Sequence, residues 1–443
     1  MVTMVHIWHK DTIEEIKRNL LSWTRKGYTF TLVTQIAVMV SGILTIKLAS
    51  YYFGPHGYGV YAVTKRAMSI LGFSMLMGLG ISIPRYIGGA YSSGEGNSYL
   101  IAGILSVTPI VAIYIIVSIF WRDFVSSVFF GDTKYDYMVF PLMLAVIGLI
   151  LQTIAFSYYR GYLRMWVANI FQIVTAAVVP LCSVAFGKNP YRTFLFMGGS
   201  WIVISSAVLF YICKEIGLGE WKKKDVIRSV FELLSYGTPR VLGEFAWFGL
   251  FSIPTFLVAH HSGIKQAGFF SFGLTVLQLL GSVFVVTGIV LLPYISKLRM
   301  QEKWEQISKI VAIVVIVSLS LTLAGILVIW LFLPMVINLW MGQEFLATVS
   351  SVRWMLIAGI PYVLYIVLRS PMDAISKLPF NAVNTAITLF VIVALIEWAW
   401  LIISPTQAMI VGLYVLGGLT VMSWYYLLHQ KGVGLSYRLL RYH

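Results

Sequence analysis

Seven ionisable residues interrupt stretches of the chain that are otherwise apolar: Lys47, Lys65, Arg66, Arg240 and Arg353, with Glu244 and Glu397 as the acids. A charge midway along an apolar membrane helix costs about 2.5–3.5 kcal/mol on insertion scales, so each of these asks for a reason. Basic residues outnumber acids here, which favours an anionic partner, and phosphate groups suit guanidinium and ammonium donors well. Lys47, Lys65 and Arg66 stand near the facing ends of two successive apolar runs and are expected to form one cationic cluster. Arg240 and Glu244 are four residues apart and share a helix face. That pair reads either as a structural ion pair or as a gate, with Glu244 taking up a proton when Arg240 engages an anion. Snorkelling of long side chains towards the headgroups is the competing account of each basic residue. Glu397, beside Trp398 and Trp400, reads as a buried, protonated carboxyl or, second to that, as an ion-coupling site.

Arg85, Arg160, Arg164 and Arg369 fall at the ends of apolar runs. They either anchor those ends or line an inner mouth that attracts a phosphate-bearing headgroup. Lys222, Lys223 and Lys224 read as a headgroup contact. Tyr58, Tyr61 and Trp247 offer faces for stacking on sugars, or else pack in the core or at the interface. His260 and His261 are adjacent, a poor spacing for two metal ligands, and no carboxylate is near them in the sequence. Paired acids for glycosyl or phosphoryl chemistry and nucleotide-binding signatures are absent, so no enzyme activity, metal or cofactor is expected. Cys182 and Cys213 lie in apolar stretches and read as buried free thiols.

The elements that must position these groups follow from composition. Of 443 residues, 59% are hydrophobic and only 11% charged, and mean hydropathy is +0.85. An average soluble domain carries roughly 25% charged residues. The chain therefore reads as a polytopic membrane protein, and its net charge of +15 is not a nucleic-acid signal. A hydrocarbon core of roughly 30 Å needs about 20 apolar residues per helix. Twelve runs qualify: 28–50, 61–83, 99–121, 138–158, 167–187, 194–213, 237–260, 267–294, 309–333, 347–368, 380–403 and 407–429. We number these spans 1 to 12. If the N-terminus is cytoplasmic, inner segments hold 22 of the 32 basic residues and outer loops hold five. Both termini are then expected in the cytoplasm of a cell (plasma or inner) membrane protein. No signal peptide is read at the N-terminus; Ile13, Ile16, Leu20 and Trp23 instead suggest an amphipathic surface helix.

The chain is doubled. At an offset of 209 positions, residues 48–84 overlay 257–293 without gaps. Leu48 meets Leu257, Gly54 meets Gly263, Gly59 meets Gly268, Leu71 meets Leu280, Gly72 meets Gly281 and Pro84 meets Pro293. Gly and Pro dominate these identities, and backbone geometry rather than greasy composition selects them. Tyr61 meets Phe270, and Arg160 meets Arg369. Lys47, Lys65 and Arg66 meet Phe256, Leu274 and Thr275, so the cations are not repeated. Six spans per half give the halves one orientation, hence a pseudo-twofold axis along the membrane normal. The expected organisation is a segment 1–27, a six-helix lobe 28–213, an amphipathic linker 214–236, a second lobe 237–429 and a tail 430–443. The lobes should face each other across a central cavity.

Four segments then carry a family resemblance: YYFGPHGYGVYAV (51–63), GLGISIPRYIGGAYSSGEGN (78–97), YYRGYLRM (158–165) and LRSPMDAISKLPFNAVN (368–384), with LLPYISKL (291–298) beside them. The chain resembles polysaccharide transporters of the Wzx type, within the superfamily of MATE exporters and lipid II flippases. The resemblance runs over about residues 28–430. It implies a two-lobed, twelve-helix, all-α protein that flips a polyprenyl-(pyro)phosphate-linked oligosaccharide to the outer leaflet by alternating access. Spans 1, 2, 7 and 8 would line the cavity. Proton or sodium coupling and contact with polysaccharide-assembly enzymes are further implied partners, along with membrane lipids. One departure stands out: where many relatives have an acid–base pair in span 7, this chain reads Ile253, Pro254, Thr255. Anion contacts are expected at Lys47, Lys65, Arg66, Arg85 and Arg240, an inner basic mouth at Arg160 and Arg369, and coupling or gating at Glu244. A MATE-like exporter of small organic cations is the alternative, though it would favour an acidic cavity. A membrane scaffold is the third.

Overall fold

The computed structural model describes residues 26–90, 93–216, 223–376 and 378–430. The expected surface helix near residues 10–25, Lys222 and the tail after Gln430 lie outside the described residues. So do the side chains of Lys223 and Lys224.

Among the described residues, ten helices are long and apolar enough to cross a membrane, or eleven when the bent pair Gln343–Ile357 and Gly359–Ile375 counts as one span. The first of the ten is itself two helices merged across Gly54 within Lys26–Met75, which brings the passes to twelve. Spans 1 and 2 share that element, and span 2 continues through Leu79–Gly89. Spans 3, 4 and 6 are Ser93–Phe120, Val139–Gly161 and Pro190–Ile216. Span 5, Met165–Gly187, contains a π turn at Ile173–Val178. Span 7 is one helix with the described end of the linker, Lys223–Ser262. Spans 8, 9, 11 and 12 are Ile264–Met300, Trp304–Trp340, Phe380–Trp398 and Pro405–His429.

The duplication has a backbone signature. Gly54 (φ 61°, ψ −177°) and Gly263 (φ 82°, ψ 168°) occupy the same region, one that only glycine enters without strain. Each ends the first helix of its half and starts the second. Packing repeats as well: span 4 lies on span 6 as span 10 lies on span 12, and span 2 on span 4 as span 8 on span 10. Spans 1 and 2 meet spans 7 and 8 along the seam between the lobes. We call the end of the bundle carrying Gly54 and Gly263 the kink end, and the end carrying Lys223 the linker end.

Six buried threonine hydroxyls are satisfied within their own helices. Thr45, Thr64, Thr255, Thr322, Thr388 and Thr420 each donate to the carbonyl four residues back, as expected where water is absent. Neighbouring spans donate to two carbonyls of the π turn: Trp201 Nε1 to Thr175 O at 2.6 Å and Ser41 Oγ to Ala177 O at 2.7 Å. The outer surface is apolar, with Leu327 and Leu331 of span 9 each 63% exposed. Such a surface suits hydrocarbon and not water. The chain is a multi-pass membrane protein. Cys182 and Cys213 are free, but Cys182 is exposed and Cys213 half-buried. The expected burial fails because bilayer-facing positions are as apolar as core positions.

Candidate functional site

The seam between the lobes closes on glycine at the kink end. A Cβ added to Gly59 would overlap the Ile264 carbonyl oxygen, and one on Gly268 would sit 2.6 Å from Gly59 Cα. Symmetry-related residues touch where the pseudo-twofold axis runs, so these two glycines mark it. About two turns further along span 2 stand Lys65 and Arg66.

Arg66 reaches across the seam to span 8. Its Nη1 donates to Gln278 Oε1 at 2.9 Å, its Nε to Ser271 Oγ at 3.3 Å and its Nη2 to Thr275 Oγ1 at 3.4 Å. Ser271, Thr275 and Gln278 are spaced four and three apart, one stripe of a helix. All three partners are neutral, and among the described residues no carboxylate pairs with Arg66. The charge is held in place yet remains uncompensated. Thr275 is the repeat partner of Arg66, so the asymmetry of the duplicated halves creates the contact.

Lys65 is exposed although Val63, Thr64, Ala67 and Met68 around it are buried. It adjoins Arg66 in the chain. Lys47 is placed elsewhere: its Nζ lies 4.6 Å from the ring centre of Trp340 in span 9, so the expected trio resolves into a pair and a separate cation–π contact. Arg353 does the same at Trp330, 4.3 Å from the ring, with its Nε donating to the Trp330 carbonyl.

Towards the linker end the seam carries a second group. Arg240 is not ion-paired with Glu244 among the described residues, against the structural-pair expectation. Its guanidinium lies 3.8 Å from the ring centre of Tyr236 and its Nη1 donates to the Tyr236 carbonyl. Stacking one turn back removes it from the acid one turn ahead. Arg85 of the first lobe lies over the same ring at 4.0 Å. Glu244 is half-buried within the electrostatic reach of Arg369 and Arg240. Arg369 sits 5.3 Å over Trp247, which stacks on Tyr365 at 5.4 Å and on Tyr362 at 6.2 Å. Phe73 and Phe248 stack across the seam at 3.9 Å.

Other expected residues lie apart from the seam. Arg160 is exposed and rests against Phe156 of its own helix at 5.4 Å, while Arg164 pairs with Glu215 at 3.7 Å. Tyr58 and Tyr61 are buried among Phe345 and Phe194 and present no free face to a sugar. Glu397 is not buried. It lies in the last turn of span 11, with its side chain 41% exposed, 3.5 Å from His261 Nε2. Span 11 ends at Trp398 rather than 403, so the carboxylate is close to the helix end and does reach a histidine. His261 also stacks on Trp400 at 4.3 Å, and His260 bonds the Val128 carbonyl of the other lobe. No group of three or more His, Cys, Asp or Glu that could hold a metal is found among the described residues. Gln278, Ser271 and Tyr236 were not anticipated. The first two carried a signal, a polar stripe in an apolar helix; Tyr236 carried none.

A two-lobed bundle of twelve passes with a basic seam defines a protein built on a transporter fold. The chain belongs to the family described as polysaccharide biosynthesis protein, which matches residues 24–299. No curated protein matches it by sequence. Its fold is similar to an inward-facing multidrug resistance MATE family transporter of the MOP superfamily, at 12% identity over 89% of this chain and 94% of that one, with a TM-score of 0.73. It is similar to the lipid II flippase MurJ in an inward closed conformation, at 14% identity over 89% and 87%, TM-score 0.68. A MOP superfamily transporter from Pyrococcus furiosus matches at 12% identity over 92% and 93%, TM-score 0.57.

Proposed function

We propose that this protein is a flippase that carries a polyprenyl-(pyro)phosphate-linked oligosaccharide from the cytoplasmic to the outer leaflet by alternating access. The observation that carries the reading is Arg66, fixed across the lobe seam by three neutral side chains with no acid among the described residues to neutralise it. A diphosphate entering hydrocarbon needs such a cation, because an unpaired anion there is prohibitively costly. Small organic cations would instead meet repulsion from Lys65 and Arg66.

In this reading the linker end faces the cytoplasm, as the distribution of basic residues suggests. The headgroup enters there, passes Arg85, Arg240 and Arg369, and reaches Lys65 and Arg66, while the lipid tail stays in the bilayer. Because Arg66 bonds across the seam, a phosphate that takes its donors also loosens the contact between spans 2 and 8. Binding is thereby linked to lobe movement. Glu244 is the acid placed to compete with the phosphates for Arg240 and Arg369, which makes it the candidate coupling group.

The test uses purified protein in sealed vesicles containing the lipid-linked oligosaccharide. An impermeant glycan-cleaving enzyme should gain access to substrate of the far leaflet only when the protein is present. Failure of that exposure, together with gradient-driven efflux of a cationic dye, would replace the flippase with a cation exporter.

A further inference from the structure

One aromatic ring at the linker end is shared by two cations from different lobes. The guanidinium carbons of Arg85 and Arg240 lie 4.0 and 3.8 Å from the centre of the Tyr236 ring, so the charges are no more than 7.8 Å apart, the two distances end to end. Arg85 belongs to the helix Leu79–Gly89 of the first lobe; Tyr236 and Arg240 belong to Lys223–Ser262. Both arginines are exposed. Among the described residues neither is in an ion pair. The nearby carboxylate of Glu232 is already engaged, accepting from the Tyr99 hydroxyl at 2.5 Å and from Arg228 Nε at 2.8 Å. The edge of the ring is held by Tyr86 at 5.9 Å and 88°. Beside this stack the lobes touch through backbone, since a Cβ on Gly237 would overlap the Met77 carbonyl oxygen.

Two guanidinium groups drawn together around one ring repel each other. The π face offsets part of that repulsion, and an anion taking hydrogen bonds from both would offset more. We propose that Arg85 and Arg240, spaced by Tyr236, form a second anion station that binds a prenyl diphosphate, one phosphoryl group to each guanidinium, and so ties the two lobes together at the linker end. A monophosphate offers one phosphoryl group to two guanidinium groups held at one ring, and serves the station less well. Tyr236 is a positioning residue: it sets the separation and touches no phosphate. That the diphosphate belongs to a lipid-linked glycan rests on the flippase reading; the station itself does not.

The probes are farnesyl diphosphate and farnesyl monophosphate, titrated calorimetrically into the detergent-purified full-length protein. Wild type should bind the diphosphate about tenfold more tightly than the monophosphate, the gain of one further charge-assisted contact. Arg85→Gln and Arg240→Gln should each abolish most of that preference. The double variant should lose little more than either single one, because bridging fails with the first loss. Tyr236→Phe should keep the preference and Tyr236→Leu should lose it. The preference should persist on an Arg66→Gln background, which separates this station from the one across the seam. Spin labels on the two lobes should report a shortened distance at the linker end when diphosphate is added to wild type but not to the arginine variants.

Equal affinity for the two probes, strictly additive losses, or competition by phosphatidylglycerol as strong as by the diphosphate would overturn the station. Normal leaflet exchange of lipid-linked glycan without the binding pattern would sink the station and leave the flippase standing. The binding pattern without any exchange would do the reverse.

Discussion

Gly59 and Gly268 lie 209 positions apart and touch backbone to backbone at the seam, where a Cβ on the second would sit 2.6 Å from the Cα of the first. The two are copies of one ancestral position, and their contact is the point about which the lobes are related. Everything at the kink end depends on this close approach, because it brings span 8 within reach of Arg66.

A side chain at this contact should therefore hold the lobes apart. Gly268→Val is expected to destabilise the protein by about 1–3 kcal/mol, the usual cost of overpacking, and to weaken transport more than Gly273→Ala, whose added carbon meets no backbone but only side chains, Met355 Sδ at 3.0 Å and Val352 Cγ2 at 3.6 Å. Thermal unfolding in detergent and vesicle transport together check this. Unchanged transport in Gly268→Val would show that the close approach is not needed.

The π turn in span 5 gives a prediction about stability alone. Trp201→Phe and Ser41→Ala each remove a buried donor to a carbonyl of the turn. Each should cost about 1–3 kcal/mol, read as a lowered unfolding midpoint with membrane insertion preserved. Midpoints equal to wild type would mean that other groups satisfy those carbonyls.

His261 and Glu397 form an exposed contact at the kink end. Exposed pairs are worth about 0–1 kcal/mol, so Glu397→Gln should leave both stability and transport close to wild type at pH 7. A collapse of transport would mean that Glu397 couples the cycle after all.

Orientation is open to a direct check. A single cysteine at Ser235, in a background without Cys182 and Cys213, should react with an impermeant thiol reagent only from the cytoplasmic side. One at Lys265 should react only from outside. The opposite pattern would invert the assignment of the linker end.

Much of this architecture is legible in the sequence, and the reasons are physical. Spans follow from the length of apolar runs, and the duplication from glycines whose backbone geometry admits nothing else. Arg66 stands out because a cation in hydrocarbon is expensive. Its partners are harder to see, since Ser271, Thr275 and Gln278 are unremarkable until span 8 is laid against span 2. The depth of Glu397 is not legible, because residues 399–403 are as apolar as the helix they leave. Tyr236 was missed because only tertiary contact brings Arg85 to its ring.

The most direct test of the central claim compares leaflet exchange of the lipid-linked oligosaccharide by wild type, Arg66→Gln and Arg66→Lys at equal protein density. Loss of the guanidinium should slow exchange by about tenfold or more, the scale of a lost charge-assisted contact. Lysine should restore little, because a point charge cannot reproduce three bonds from one planar fork. Exchange at the wild-type rate in Arg66→Gln would contradict the account, for it would show that the substrate crosses without the cation at the seam.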